Sequence, residues 1–470
     1  MKLIVGFLAC IIIFYFSALN WRRSVKAVFF LLVLEGALRK WVLPQASEMI
    51  YFLKDVVVIG AYFNFYGFSG YKEKLPSFGK IINLLIFVAV GWCIFQIFSP
   101  YLGSPLVGIF GLRGYLVYVP LIWMIPYLFE SEDELYKFLR SHLLLTIPVG
   151  LIGIVQFFSP GDSVINAYAN EESVVRATFG VTQAIRITGT FSYISGYAVY
   201  LIVCFGLLVI MLATKQPREW RLITVIELFL VTINSFMTGS RGTIFAQVLF
   251  VVGYFVAKGL TKPASAMRLM KRLIIPVIII AIAASIWFRP AIESFWLRAT
   301  KYTDVSGRIV SSFVEPLQFM QIKELDGYGT GATHQATPTF RQVLDLPVGE
   351  KIPVYYESEM GRIVLELGPI GFLFWYGLRV SIMIFLLLTF WKLKRPFLRE
   401  LALAALLIQL IQLNGFLVFH HTFSVYYWFF SSFIFLLPRL EQIENWQREQ
   451  QLLQEDVLSS YFFDSPYRQS

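Results

Sequence analysis

The chain contains a long series of apolar stretches, and each has a length that suits a helix crossing a lipid bilayer. One crossing needs roughly 20 apolar residues. By that criterion the sequence contains about thirteen candidate spans, near residues 3–20, 25–43, 49–67, 80–99, 105–129, 136–158, 192–213, 221–238, 243–258, 273–289, 363–391, 398–415 and 423–438. The sequence therefore predicts an all-α integral membrane protein, a polytopic helical bundle of about 12–14 transmembrane helices.

Composition supports this interpretation and excludes other classes. Of the 470 residues, 57% are hydrophobic and 15% are charged, which is more apolar than one soluble core could accommodate. The net charge of +10 does not indicate nucleic-acid binding, because lysine and arginine lie in short tracts beside apolar stretches and not on one soluble domain. Cys10, Cys93 and Cys204 each lie within an apolar stretch, which predicts packing roles and no disulfide framework or metal cluster.

The basic tracts predict the orientation of the bundle, since Lys and Arg are retained on the cytoplasmic side of a membrane. Five tracts occupy alternate connections: Arg22, Arg23 and Lys26; Lys72, Lys74 and Lys80; Lys215, Arg218 and Arg221; Lys258, Lys262, Arg268, Lys271 and Arg272; and Lys392, Lys394, Arg395 and Arg399. This pattern places the N-terminus outside and the tail at 441–470 in the cytoplasm. The first apolar stretch is interpreted as a retained anchor, because Arg22 and Arg23 follow it directly and no small-residue cleavage site is clear.

Two long connections, 159–191 and 290–361, fall on the predicted extracytoplasmic side. The second mixes aromatic and aliphatic residues at roughly helical spacing, which predicts a lid of short amphipathic helices against the outer membrane face. The chain is thereby divided into N-terminal transmembrane helices at 1–185, a membrane region at 186–440 that includes the large loop, and the cytoplasmic tail.

Arginine residues gather at the predicted outer face. Arg241 lies in a tight turn, TGSRG, between the eighth and ninth stretches, and Arg113 lies about two turns inside the fifth. Arg186 precedes the seventh stretch on the same side. A guanidinium placed toward hydrocarbon costs roughly 2.5 to 3.5 kcal/mol, so Arg113 needs a partner or a function. For Arg241 the alternative is a simple turn whose side chain reaches lipid headgroups.

Several arginines at one face suit an anion with many oxygens, because the planar guanidinium can hold phosphate through two hydrogen bonds. We therefore predict that Arg113, Arg186 and Arg241 bind a lipid-linked diphosphate. A candidate proton acceptor is Glu357, in the segment YYESEMGRIVLELG at the end of the large loop, where nearby positive charge would keep its carboxylate ionised.

Other polar groups at this face receive structural interpretations. Arg39 and Lys40 are interpreted as interfacial anchors, Lys54 and Asp55 as a pair with each other or with Glu35, and Glu366 as a partner of Arg362. His420 and His421 are interpreted as residues of the outer interface, with a position lining the site as the less favoured alternative. The segment GYGTG at 327–331 is interpreted as a turn, because it lacks the Lys-Ser/Thr of a phosphate-binding loop. No histidine pair has chelating spacing and no Asp-x-Asp pair stands out, so no metal site is predicted.

Four segments between about 185 and 380 resemble, in order, the O-antigen ligase and O-antigen polymerase (Wzy-like) superfamily. RITGTFSYISGYAVYL resembles its R-x-x-G-T-F segment, and TGSRGTIFA resembles its S-R-G-A turn. SGRIVSSFVEPLQFMQIKELDGYGTGA resembles the R…G-x-G part of its long loop, and ESEMGRIVLELGPIGFLFW resembles its H-N-x-x-L-x-x-L-x-E-x-G-x-x-G segment. Where the ligase pattern has His, this chain has Glu357, which favours a polymerase.

The resemblance implies a C-type (GT-C-like) membrane glycosyltransferase of the bacterial inner membrane that uses undecaprenyl-diphosphate-linked oligosaccharides and no metal or other cofactor. It would polymerise repeat units for O-antigen, capsule or exopolysaccharide with inversion at the anomeric carbon, and its protein partners would be a chain-length regulator and a flippase. Glu357 and Arg241 are the implied catalytic residues, and the implied diphosphate-binding residues are Arg113, Arg186, Arg241 and Arg308.

Two alternatives remain open. A glycan ligase would share the donor and the fold but use another acceptor. A transporter of anionic lipid-linked sugars would also need arginines at the outer face. The halves of the chain show no hydropathy repeat, a feature that many secondary transporters have.

Overall fold

The computed structural model describes residues 2–68, 78–169, 177–180, 184–261, 263–301, 305–323 and 325–463. This part of the chain is all-helical, apart from an isolated antiparallel bridge between Thr178 and Ile185. The α-helices are α1 Lys2–Leu19, α2 Trp21–Ala37, α3 Ser47–Tyr51, α4 Leu53–Phe68, α5 Phe78–Phe95, α6 Pro105–Leu116, α7 Leu121–Met124, α8 Glu132–Leu144, α9 Thr146–Phe158, α10 Ile194–Ala213, α11 Arg218–Met237, α12 Arg241–Thr261, α13 Pro263–Trp287, α14 Arg289–Lys301, α15 Val305–Phe319, α16 Thr337–Val343, α17 Glu359–Lys392, α18 Pro396–Ile411, α19 His421–Ser431 and α20 Phe433–Phe463.

Eight helical segments of the described chain are long and apolar enough to cross a membrane: Pro44–Phe68, Gly79–Phe98, Pro105–Tyr127, Glu132–Phe158, Ile194–Ala213, Arg218–Met237, Arg241–Thr261 and Glu359–Lys392. The bent pair α19 and α20 would make a ninth. This supports a multi-pass membrane protein, but the count is below the expected 12–14. Helices α2 and α18 have 17 and 16 residues, which is shorter than the roughly 20 residues of a typical crossing.

At one end of the bundle, which we call the basic end, two of the basic tracts form ion pairs with acidic side chains of the connection before α8 and its first turn. Arg22 contacts Glu130 at 2.6 Å, and Lys26 contacts Glu134 at 2.7 Å. Arg395 contacts Glu132 at 2.6 Å. These contacts bring together the connections before α2, α8 and α18, as the alternation of basic tracts in the sequence predicts.

Helix α17 is broken in a way that ties the large loop to the bundle. Gly368 has φ 71° and Pro369 follows it, so the carbonyls before the break lose their helical donors. The loop supplies replacements: Tyr328 N donates to Leu365 O at 2.7 Å, and Gly329 N donates to Glu366 O at 2.9 Å. The 327–331 segment is therefore a buried structural connection.

The same segment packs against α6, backbone to backbone. Thr330 Oγ1 donates to Gly108 O at 2.9 Å, and Thr330 is fully buried. At Gly111 a Cβ atom would lie only 2.2 Å from Gly331 N, so the absence of a side chain allows this approach. Helices α14, α15 and α16 confirm that the large loop forms short helices.

Candidate active site

A cavity of about 1390 Å³ opens at the end of the bundle opposite the basic end. Its walls come from the ends of α2, α4, α10, α17 and α19 and from the loop at 332–357. Its charged and imidazole lining residues are Glu35, Arg39, Lys54, His334, Arg341, Asp345, Glu350, Lys351, Glu357, Arg362, His420 and His421. This volume exceeds the roughly 300–1,000 Å³ typical of small-molecule pockets.

The floor of the cavity contains an ionic group built from α2 and α4. Arg39 lies in the π-helical turn Leu38–Val42 that follows α2, and its guanidinium donates to Ser47 Oγ and Ser192 Oγ, both at 3.1 Å. Glu35 lies one turn earlier, 3.7 Å from the Arg39 guanidinium, and forms an ion pair with Lys54. Of the two pairings predicted for Lys54, with Asp55 or with Glu35, the structure shows the pairing with Glu35. Arg39, interpreted as an interfacial anchor, is instead buried and lines the cavity.

On the opposite wall, Thr333 links Arg362 to Glu366. The Thr333 hydroxyl donates to Glu366 Oε1 at 2.7 Å and accepts from Arg362 Nε at 3.1 Å. Glu366 also accepts from Thr333 N at 2.9 Å and from the Tyr115 hydroxyl at 2.9 Å. Glu366 is fully buried, so these donors replace the water that its carboxylate loses. The structural role predicted for Glu366 is confirmed, with Thr333 as the bridge to Arg362.

Replacing Thr333 with Val should lower the free energy of unfolding by about 1–3 kcal/mol, because the buried Glu366 carboxylate loses a donor and Arg362 loses an acceptor. The measurement is thermal unfolding of the purified protein in detergent. Thr333→Ser keeps the hydroxyl and should unfold near the wild-type temperature. Equal stability of the Val variant and the wild type would contradict this bridge.

Three histidines line the cavity as neutral rings. Burial, with the charges of Arg362 and Arg113, lowers the pKa of His334 to about 4. Burial, with the charge of Lys54, lowers the pKa of His420 to about 4. His420 Nε2 lies 3.2 Å from Ser195 Oγ, and His421 Nε2 lies 2.8 Å from the Tyr51 hydroxyl. His420 and His421 therefore lie in this wall, which is the less favoured of the two positions that the sequence suggested for them.

Glu357 lies in the wall of the cavity on an exposed backbone segment directly before α17. The next residue, Ser358, caps this helix by accepting from Gly361 N at 3.0 Å. Ser358 N donates to Glu315 Oε2 of α15 at 3.1 Å. The start of α17 and α15 together therefore fix the backbone that carries Glu357.

The structure brings Arg186 and Arg241 together with Arg298 of α14. Arg186 Nε donates to Thr238 O at 2.8 Å, in the turn between α11 and α12. Burial, with the like charges of Arg298 and Arg241, lowers the pKa of Arg186 to about 10. We call Arg186, Arg241 and Arg298 the arginine cluster.

Two stacked tyrosines connect the arginine cluster with the cavity. The rings of Tyr168 and Tyr193 have centroids 6.3 Å apart and planes 17° apart. Tyr168 interacts electrostatically with Arg186, whereas Tyr193 lines the cavity and interacts with Arg39. The predicted arginines 186 and 241 therefore lie together beside the cavity wall and not in it.

The other two predicted arginines take different positions. Arg113 forms an ion pair with Asp55, and its guanidinium lies 4.8 Å and 4.4 Å from the ring centroids of Tyr51 and Phe52. It is not among the lining residues, because Asp55 and these rings enclose it. The backbone of Arg308 belongs to α15, but its side chain lies outside the described residues.

Comparison with known proteins gives no assignment: no protein-family model matches the chain, and no curated protein matches it significantly. Within the described residues, no group of three or more His, Cys, Asp or Glu side chains could hold a metal ion.

Proposed function

We propose that this protein is a membrane glycosyltransferase that polymerises oligosaccharide repeat units carried on undecaprenyl diphosphate, for O-antigen, capsule or exopolysaccharide. The observation that supports this most is the large cavity at one end of an apolar helical bundle, where Glu357 shares the lining with five basic side chains. Those side chains are Arg39, Lys54, Arg341, Lys351 and Arg362. A diphosphate on a lipid and a chain of sugars need such a combination of positive charge, volume and closeness to lipid.

The proposed reaction is an inverting transfer. A hydroxyl of the acceptor sugar attacks the anomeric carbon of the donor while Glu357 takes the hydroxyl proton. A new glycosidic bond forms, and the bond from the anomeric carbon to the diphosphate oxygen breaks. The diphosphate leaves with the electron pair, and Arg186 and Arg241, which lie outside the cavity lining, would stabilise its negative charge where the donor extends past the cavity wall, in the role that a metal ion has in other transferases. Helices α14 to α16 of the large loop would cover the sugars and limit access of water.

The proposed orientation follows from the basic end. Lys and Arg in short connections are retained in the cytoplasm, so the basic end would face the cytoplasm and the cavity would face the extracytoplasmic side of a bacterial inner membrane. Lipid-linked repeat units delivered by a flippase would reach the cavity from that side. The helical bundle and its large loop would then form a C-type glycosyltransferase fold.

The test is reconstitution of the purified protein in liposomes with an undecaprenyl-diphosphate oligosaccharide. The wild-type protein should produce ladders of longer lipid-linked glycans. Arg241→Ala should lower the rate by about 100- to 1,000-fold, as expected for loss of a donor to a developing anion. Arg22→Ala, at the basic end, is the control and should retain activity.

Each other outcome of this assay rejects the polymerase. Glycan transfer to a different acceptor without chain growth would identify a ligase. Movement of the intact lipid-linked sugar across the bilayer, with no new glycosidic bond, would identify a transporter.

A further inference from the structure

We propose that Arg379 is a positioning residue for Glu357, the proposed base. Arg379 is paired with Glu359, two residues after Glu357, and this buried ion pair holds the backbone that carries Glu357 in the cavity wall. Arg379 does not line the cavity, so it acts on the reaction only through the position of Glu357. The inference rests on the proposed function and deepens it, because it adds a residue on which transfer of the hydroxyl proton depends.

The ion pair joins two halves of α17 that are distant along the chain. Arg379 Nη1 donates to Glu359 Oε1 at 3.2 Å, across 20 residues. In a straight helix 20 residues span about 30 Å, far beyond the reach of these two side chains. The contact forms because α17 is broken at Gly368, so that its first half, 359–367, folds back beside the second half. Arg379 therefore holds the far end of a folded-back arm, and Glu357 lies at that end.

Further hydrogen bonds fix both members of the pair. Arg379 Nη1 also donates to the Tyr376 hydroxyl at 3.1 Å, and Arg379 Nη2 donates to Gln412 O at 3.0 Å, directly after α18. Glu359 Oε2 accepts from Val418 N at 3.1 Å, in the connection before α19. Arg379 is 2% exposed and Glu359 is fully buried. Buried charges need such partners, so the first turn of α17 has a defined position relative to α18 and to that connection.

The position of Glu357 depends on the turn that follows it, because the chain between α16 and α17 contains no helix. That turn is attached on two sides. Ser358 binds Glu315 of α15 in the large loop, whereas Glu359 binds Arg379 inside the bundle. A reacting group misplaced by about 1 Å can lower a rate about 100-fold, so loosening the second attachment should slow proton transfer.

The first test is Glu359→Gln, which has nearly the shape of Glu but lacks the charge that binds Arg379. In liposomes, kcat for chain growth should fall by about 10- to 100-fold, with KM within about twofold of wild type, because neither residue lines the cavity. Glu227→Gln is the matched control. Glu227 is also fully buried and forms an ion pair with Arg140 at 2.9 Å, between α8 and α11, and it does not line the cavity. This control should keep both constants near the wild-type values.

Repeating Glu359→Gln in a Glu357→Gln protein separates positioning from a general loss of stability. No proton acceptor then remains to be misplaced, so the second substitution should change kcat by less than about twofold. A purely structural role would lower kcat by the same factor in both backgrounds. That result, or a kcat of Glu359→Gln within about twofold of wild type, would overturn the inference.

Arg379→Lys tests the same attachment in a protein that keeps both charges. Lys lacks the planar fork of donors that reaches Glu359, Tyr376 and Gln412 together. It should lower kcat by about tenfold, and by less than about twofold in the Glu357→Gln background. Equal losses in the two backgrounds would contradict positioning through Glu357.

Hydrogen exchange measures the attachment without reference to activity. In the full-length protein in detergent, Glu359→Gln should increase amide exchange at residues 355–361 and leave exchange in α19 at 421–431 unchanged. Glu227→Gln should leave both segments unchanged. Wild-type exchange at 355–361 in the Glu359→Gln protein would overturn the inference.

The inference and the proposed function can fail separately. Chain growth that falls in Glu357→Gln and not in Glu359→Gln would reject the positioning role and retain the polymerase. Faster exchange at 355–361 in Glu359→Gln, in a protein that forms no glycosidic bond, would retain the attachment and reject the polymerase.

Discussion

Replacing Glu357 with Gln is expected to lower the rate of glycan chain growth by about 100- to 10,000-fold, the range associated with loss of general base catalysis. Gln has nearly the same shape as Glu but cannot accept the proton of the attacking hydroxyl. Glu357 lies on an exposed segment of the cavity wall, so the amide should cause little change in folding. The measurement is the initial rate of chain growth in liposomes, together with the unfolding temperature of each protein.

Glu350→Gln provides a control within the same cavity. Its carboxylate also lines the cavity but forms an ion pair with Lys323 at 2.8 Å. This variant should retain most of the activity, because Glu350 already neutralises a cation and has no assigned part in proton transfer. Rates within threefold of wild type for Glu357→Gln would reject Glu357 as the base. A similar loss in both variants would show that general cavity charge matters and not the proton acceptor.

Replacing Gly111 with Ala should separate the large loop from the bundle. The added Cβ would lie 2.2 Å from Gly331 N and 2.3 Å from Gly331 Cα, and both atoms belong to backbone that cannot rotate away. Overpacking costs about 1–3 kcal/mol where side chains can adjust. Here only backbone can move, so we expect the free energy of unfolding to fall by at least about 3 kcal/mol and the 327–331 segment to separate from α6. The measurements are thermal unfolding and protease cleavage of the loop.

Gly377→Ala is the matched control for that substitution. Gly377 lies inside α17, and a Cβ atom there meets nothing within 4 Å. Ala is a better helix former than Gly by about 1 kcal/mol, so this variant should be as stable as the wild type or more stable. A Gly111→Ala protein with normal stability and an uncleaved loop would show that the close approach of α6 and the loop is not required.

The bounds of some helices could be predicted accurately from the sequence. The predicted stretches 192–213 and 221–238 correspond to Ile194–Ala213 and Arg218–Met237. Each is a continuous apolar run with polar or charged neighbours, and such local patterns fix where a helix can remain in hydrocarbon. The break at Gly368 within α17 was not predicted, since its stability depends on donors from Tyr328 and Gly329, about 40 residues earlier.

The sequence predicted the residues of the candidate site less well than it predicted the helices. Glu357 lies in one wall of the cavity and Arg186 and Arg241 lie near each other, while the roles predicted for these residues stay predictions. Arg39 was assigned to the interface, and for His421 the interface was favoured over the site, because a single polar residue beside an apolar stretch has the same local pattern whether it faces headgroups or a cavity. The signal that could have found Arg39 is its spacing one turn after Glu35, which suggests a buried ionic group.

The sequence by itself determined that this chain forms apolar helices of membrane-spanning length, because chain length and hydropathy act locally along each segment. Tertiary structure alone decided which polar side chains share a cavity. Asp55 pairs with Arg113 from another helix and leaves Arg39 and Lys54 to line the floor. That choice depends on the relative rotation and depth of several helices, which no local pattern specifies.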